Sequence, residues 1–128
     1  MQAFIEKVSA ITFIVADMQR SVHFYQDVLG LDLLYGGTDS GFSSLRIPDA
    51  ESPIINLQRG SPAIAWGRMI FHVSDVDACW KTLKEKGFNP DSPRDAPWGE
   101  RYFHLRDPDG HELSFATPIS KPIQGPVG

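Results

Sequence analysis

Cysteine is nearly absent: Cys79 is the only one among 128 residues. A lone thiol excludes an intrachain disulfide and suits a reducing compartment, so a cytoplasmic location is expected. A basic surplus is missing too. Twelve Lys and Arg stand against 16 Asp and Glu, a formal net charge of −4. No Lys/Arg stripe offsets that balance, which argues against a nucleic-acid partner. No apolar run approaches the ~20 residues of a membrane span, and residues 1–7 carry no apolar signal-peptide core, so no membrane partner is expected. A phosphate loop, a Gly-rich dinucleotide fingerprint and a serine elbow are all lacking. What is left, 41% hydrophobic and 22% charged, is an ordinary globular composition, enough for one compact unit with a modest core.

The strongest local signal is Asp107-Pro108-Asp109-Gly110. Proline presets φ, aspartate bonds its own backbone, and glycine takes the positive-φ position. Extended-pattern runs lie on both sides, Tyr102–Arg106 and His111–Ala116, so the stretch predicts a β-hairpin. The rest of the chain falls into two similar halves. Val8–Val15 reads as a strand and Asp17 as an N-cap. Met18, Val22, Tyr25 and Leu29 follow at helical spacing, and Gly30 is a stop. Leu31–Tyr35, Phe42–Ile47 and Ile54–Gln58 read as strands. In the second half Met69–Val73 is a strand, Asp75 a cap, Val76, Cys79, Trp80 and Leu83 a helical stripe, and Gly87 a stop. A shift of 58 positions lays Phe13–Asp17 on Phe71–Asp75, Ser44–Arg46 on Tyr102–His104, and Asn56 on Ser114. This predicts a duplicated βαβββ unit. Thr117–Gly128, with three prolines and two glycines, reads as an arm or a frayed end.

These residues resemble the vicinal oxygen chelate superfamily, which holds glyoxalases, bleomycin-resistance proteins, fosfomycin-resistance enzymes and extradiol dioxygenases. The resemblance is carried by Val15-Ala16-Asp17, Ser21, Phe24-Tyr25 and Leu29-Gly30-Leu31. The second half adds Phe71–Ala78, Pro97-Trp98-Gly99 and Asp107–Gly110. It covers roughly Val8 to Pro118. It implies an α+β fold of two tandem βαβββ modules, a cupped mixed sheet around a cavity. A single glyoxalase/bleomycin-resistance-like domain is expected over 1–128, with module one at about 6–60, module two at about 66–118 and a tail at 119–128. A homodimer is implied, possibly with exchanged modules. Metal-dependent members place ligands on the first and last strand of each module, usually His and Glu. The matching positions here are Ala10, Asn56, Arg68 and Ser114. Alanine has no donor, arginine is a fixed cation, and asparagine and serine are weak neutral oxygens. No metal and no other cofactor is expected at that spot.

Alternation along the strands then sorts the side chains. Ala10, Thr12, Ile14, Ile54, Asn56, Gln58, Arg68, Ile70, His72, Glu112, Ser114 and Ala116 share one side, with Tyr102 and His104 if their strand is in register. The opposite set, Ile11, Phe13, Val15, Leu57, Met69, Phe71, Val73, Leu113 and Phe115, is almost wholly apolar. Arg68 reads as an anion-binding group, as one end of an internal salt bridge to Glu112 or Glu100, or as a side chain posed at the cavity mouth. His72 and His104 read as ligand-orienting groups or as satisfied interior histidines. Trp98 and Tyr102 would stack on an aromatic ligand, with Phe42 and Trp66 as further wall, or simply pack. Trp80 and Cys79 read as core, and His23 and His111 as solvated.

The expected function is a metal-independent small-molecule binding protein, resembling bleomycin-resistance proteins and hence antibiotic resistance. It would take an aromatic or anionic ligand with Arg68, His72, His104, Tyr102, Trp98, Asn56, Ser114 and Phe42. The alternative is a glyoxalase-family lyase, isomerase or dioxygenase using His72, His104 and Glu112, with or without a metal. A regulatory module with an empty cavity is a third reading.

Overall fold

The computed structural model describes residues 8–119; the expected tail and the first residues of module one lie outside that range. The chain divides into two compact units, Met1–Ala63 and Ile64–Gly128. The first carries β1 (Ala10–Val15), a helical segment opening with α1 (Met18–Val22), β2 (Asp32–Tyr35), β3 (Phe42–Arg46) and β4 (Ile54–Arg59). The second carries β5 (Arg68–His72), α2 (Val76–Glu85), β6 (Arg94–Asp95), β7 (Glu100–Arg106) and β8 (Glu112–Pro118). The fold is α+β, with two four-stranded mixed sheets ordered β1-β4-β3-β2 and β5-β8-β7-β6. In each, the first and last strands pair in parallel across the helix and the others are antiparallel. Among the described residues no helix is long and apolar enough to cross a membrane.

Both helices begin as their caps predict. Asp17 accepts the backbone N–H of Arg20 at 3.2 Å and Asp75 that of Ala78 at 3.1 Å, each from an extended backbone. After Val22 the first helix widens into π geometry over His23–Val28, with the Leu29 N–H reaching the Phe24 carbonyl at 3.0 Å. A regular 3.6-residue period would bury Tyr25 and turn Phe24 partly away. The wide turn buries both rings, edge to face at 5.2 Å. Leu29, expected on the buried stripe, is only half-buried.

Each sheet keeps an apolar helix-side face. In unit one Phe13, Val15, Leu45, Ile55 and Leu57 are buried, as are Met18 and Val22 of α1. In unit two Phe71, Phe103, Leu113 and Phe115 are buried, with Val76 and Leu83 of α2. The Phe115 ring lies between Phe71 at 5.6 Å and Phe103 at 5.0 Å. Ile11, Met69 and Val73 belong to the same face but are only half-buried. Cys79 and Trp80, expected in the core, are half-buried as well. The Trp80 indole N–H is covered without a hydrogen-bond partner, and the Lys84 ammonium stands 5.7 Å from its ring. Burial pushes the Cys79 thiol pKa up, away from reactivity.

The duplication is visible in the register. Ala10 pairs with Ile54 and Arg68 with Glu112, each partner displaced by the same 58 residues. The antiparallel neighbour departs from it. Ser44 stands opposite Asn56, whereas His104, not Tyr102, stands opposite Ser114. The mate of Ser44 is therefore His104, and the mate of Phe42 is Tyr102. The connection explains the slip: residues 47–53 join β3 to β4, and only 107–111 join β7 to β8. The two extra residues stay in the connection, so the strand before it is offset by 60 residues instead of 58 while the pairing and the side-chain faces are the same in both units.

Candidate functional site

The helix-free face of the second sheet is built in rungs across β5, β8 and β7. The first rung is Arg68, Glu112, Arg106; the second is Ile70, Ser114, His104; the third is His72, Ala116, Tyr102, which β6 extends with Arg94. Tyr102 and His104 thus share the face of Arg68, as alternation requires.

Arg68 meets Glu112 through Nε and Oε2 at 2.9 Å, and its side chain keeps 42% of its exposure. This is one of the two internal pairings open in the sequence; the Glu100 carboxylate instead accepts the Trp98 indole N–H at 2.7 Å. Arg68 Nη1 lies 3.4 Å from His104 Nε2. The His104 ring stands 5.3 Å from Tyr102, and Tyr102 lies nearly parallel to Trp98 at 6.0 Å. The Arg94 guanidinium sits 4.6 Å from the Tyr102 ring centroid, and its Nε donates to the Tyr102 hydroxyl at 3.0 Å. Arg68, His104, Tyr102 and Trp98 are one continuous run of contacts. Tyr102 already packs on three neighbours, so Trp98 is the better stacking wall.

Asp91 holds the edge of this run. It accepts the His104 backbone N–H at 2.6 Å and Arg94 Nη1 at 2.8 Å. Burial pushes the Asp91 pKa up, but hydrogen bonds from Arg94 and the His104 backbone, with the electrostatic pull of these neighbours, outweigh it and hold the carboxyl below its usual value. The same contacts with Asp91 and Tyr102 raise the Arg94 pKa. A cleft of about 560 Å³ opens here, lined by His104, Arg106 and Glu112 and by Phe88, Asn89 and Asp91, within the size range of small-molecule sites.

The same face of unit one differs. Ser44 donates to the Asn56 side-chain oxygen at 2.7 Å, and the Asn56 amide reaches Thr12 Oγ1 at 3.4 Å. Asn56 is thus held in an uncharged chain, and Phe42 stands on the next rung, opposite Gln58 and 36% exposed.

The four positions that would hold the family's metal do not make a donor set. Ala10 offers no atom, Asn56 is engaged as an amide, Arg68 is cationic and ion-paired, and Ser114 is a fully buried hydroxyl. His72, His104 and Glu112 share a face but do not converge. Among the described residues no three His, Cys, Asp or Glu side chains gather as a metal site.

One histidine expectation changes, and the Trp66 alternatives narrow to packing. His111 is buried, not solvated: 1% of its surface is exposed. Its Nδ1 accepts the Trp66 indole N–H at 3.0 Å, and its backbone N–H bonds the buried Asp107 carboxylate at 2.8 Å. Trp66, on a short helical turn at Ile64–Trp66, is therefore an anchor, though the residue remains 45% exposed. His23 is exposed and pairs with Asp27 at 2.8 Å, as a solvated helix face would. Arg94, Asp91 and Arg106 were not singled out from the sequence. The Asp91/Arg94 spacing was the one available signal, but β6 is two residues long and shows no alternation.

A doubled βαβββ unit with a mixed aromatic and charged face defines a vicinal-oxygen-chelate type of protein. Comparison with known proteins agrees: the chain belongs to the Glyoxalase/Bleomycin resistance protein/Dioxygenase superfamily, which residues 7–115 match. It is 32% identical over 121 residues to the uncharacterized protein YraH of Bacillus subtilis, covering 84% of this chain and 94% of that one. It is 30% identical over 119 residues to the metallothiol transferase FosB of Staphylococcus epidermidis, covering 88% and 84%. Among solved structures it resembles TnmS3, an antibiotic binding protein from Streptomyces sp. CB03234, with TM-score 0.75, 26% identity and coverage of 91% and 99%.

Proposed function

We propose that this protein binds a small aromatic or anionic molecule without a metal, as an antibiotic-sequestering protein would. The observation that carries the reading is Arg68. Where a metal-dependent relative would present a ligand, this chain presents a half-exposed guanidinium, paired with Glu112 and leading through His104 and Tyr102 to Trp98. Arg68 supplies charge, Trp98 and Tyr102 a flat wall, and His72 and His104 polar contacts at its rim. Ser114 keeps the middle rung small, and Asn56 and Phe42 are the corresponding positions of unit one. The antibiotic binding named for TnmS3 supports this class.

The test is a binding titration on chelator-treated protein against a panel of aromatic antibiotics and anions, read by tryptophan fluorescence. Arg68→Ala is expected to weaken a bound anion by roughly tenfold to a hundredfold, the range of a charge-assisted hydrogen bond. Unchanged affinity for every ligand found would sink the reading. The name metallothiol transferase on the FosB relative favours the alternative, a metal enzyme. Stoichiometric metal in untagged protein, lost in a His72→Ala/His104→Ala double variant, would establish that instead. A homodimer in the cytoplasm completes the proposal, and sedimentation equilibrium tests the assembly.

A further inference from the structure

The three rungs of the second sheet are not equivalent, and their order narrows the ligand. The first rung sets two guanidiniums, Arg68 and Arg106, on either side of one carboxylate, Glu112. Its charges sum to +1 on a chain whose formal net charge is −4. Arg106 is exposed and donates to the Gly110 carbonyl at 2.8 Å; Arg68 is 42% exposed. The third rung, His72, Ala116 and Tyr102, ends on Arg94, whose charge is paired with Asp91 at 2.8 Å, so this end carries no net fixed charge, and Trp98 lies against Tyr102. Between them Ile70 stands 38% exposed beside the buried Ser114, with the half-buried His104 completing the rung on β7. Net positive charge, then Ile70 flanked by an imidazole, then an aromatic wall run along one strand direction. Four residues separate the outer rungs, about 13 Å at roughly 3.3 Å per residue.

Resting on the binding function proposed above, we infer that the ligand is an elongated aryl acid: one molecule with a flat ring at the Trp98 end and a carboxylate or similar oxyanion at the Arg68 and Arg106 end. A neutral polycycle leaves the first rung's charge unanswered. A small inorganic anion forgoes the wall. A short aryl acid reaches only one of the two.

The experiment uses the full chain, treated with chelator, and three probes: 6-(2-naphthyl)hexanoic acid, its alcohol analogue 6-(2-naphthyl)hexan-1-ol, and 2-naphthylacetic acid. The long acid is expected to bind at least tenfold tighter than either other probe. Arg68→Gln with Arg106→Gln should abolish the preference of acid over alcohol. Arg68→Lys, which keeps the charge but not the planar fork, should retain part of it. Trp98→Ala should weaken long acid and alcohol by similar factors. Melting curves report whether each variant is folded. If acid and alcohol bind equally well, the ligand class is wrong while metal-free binding stands. If none of the three binds, the ligand class is also wrong. If binding of any probe appears only when a divalent metal is restored, both readings fail.

Discussion

The two units start from one plan and end with different chemistry. On the helix-free face of unit one the rungs are Ala10 with Ile54, then Thr12, Asn56 and Ser44, then Ile14, Gln58 and Phe42. Arg46, on the Ser44 face at the end of β3, is answered by Asp32 at 3.9 Å; the other positions carry no formal charge, and Ser44, Asn56 and Thr12 bond one another. The matching rungs of unit two hold two arginines, a glutamate, two histidines and a tyrosine. The helix-side faces diverged far less: Ile55 and Leu57 answer Leu113 and Phe115, all buried. Packing constrains one face of each sheet to apolar residues of similar bulk, and the other face is left to vary. Specialisation was therefore concentrated in one copy.

Five substitutions probe how far that equivalence extends. The largest effect should come from the core. Leu57→Ala in unit one and Leu113→Ala in unit two remove fully buried side chains, and each is expected to cost about 2–5 kcal/mol in urea unfolding. A cost below 1 kcal/mol for one of them would show that its unit's apolar face is not packed alike. The caps come next. Asp17→Ala and Asp75→Ala each lose one side-chain bond to a helix N-terminus, so both should lower stability by about 1 kcal/mol. A clear inequality would mean that the π turn in the first helix shifts load off its cap. The smallest effect belongs to unit two alone. Asp91 titrates below its ordinary value in the folded protein, so from about pH 3.9 downward the unfolded chain binds more protons and stability rises with pH. The contribution is complete above that value and is lost as pH falls through the lowered folded pKa. Asp91→Asn should therefore flatten the acid limb of a stability–pH curve measured between pH 2 and 6. An unaltered limb would show that the contact with Arg94 is cosmetic.

Much of this was legible in the sequence because it is periodic. Strand alternation placed Arg68, His72, His104 and Ser114 on one face, and Asp17 and Asp75 marked both helix starts. The Asp107–Gly110 turn fixed where β8 begins. The unread parts have specific causes. The two-residue slip that matches His104 to Ser44 preserves face parity, so alternation is blind to it. The π turn lets the adjacent Phe24 and Tyr25 both be buried, which a regular helical period disallows. His111 looks like a solvent-facing residue after a turn, and its partner Trp66 is 45 positions away. Arg94 and Asp91 gain their place only from an edge strand too short to announce itself.

The unequal connections, residues 47–53 and 107–111, carry one more consequence. Both lengths leave equivalent pairs facing each other: Ser44 meets Asn56 beside the longer connection, and His104 meets Ser114 beside the shorter one. Loop length is therefore absorbed outside the ladder. A lineage can trim or extend this connection without changing which positions meet across the face, so the chemistry of the face changes only by substitution.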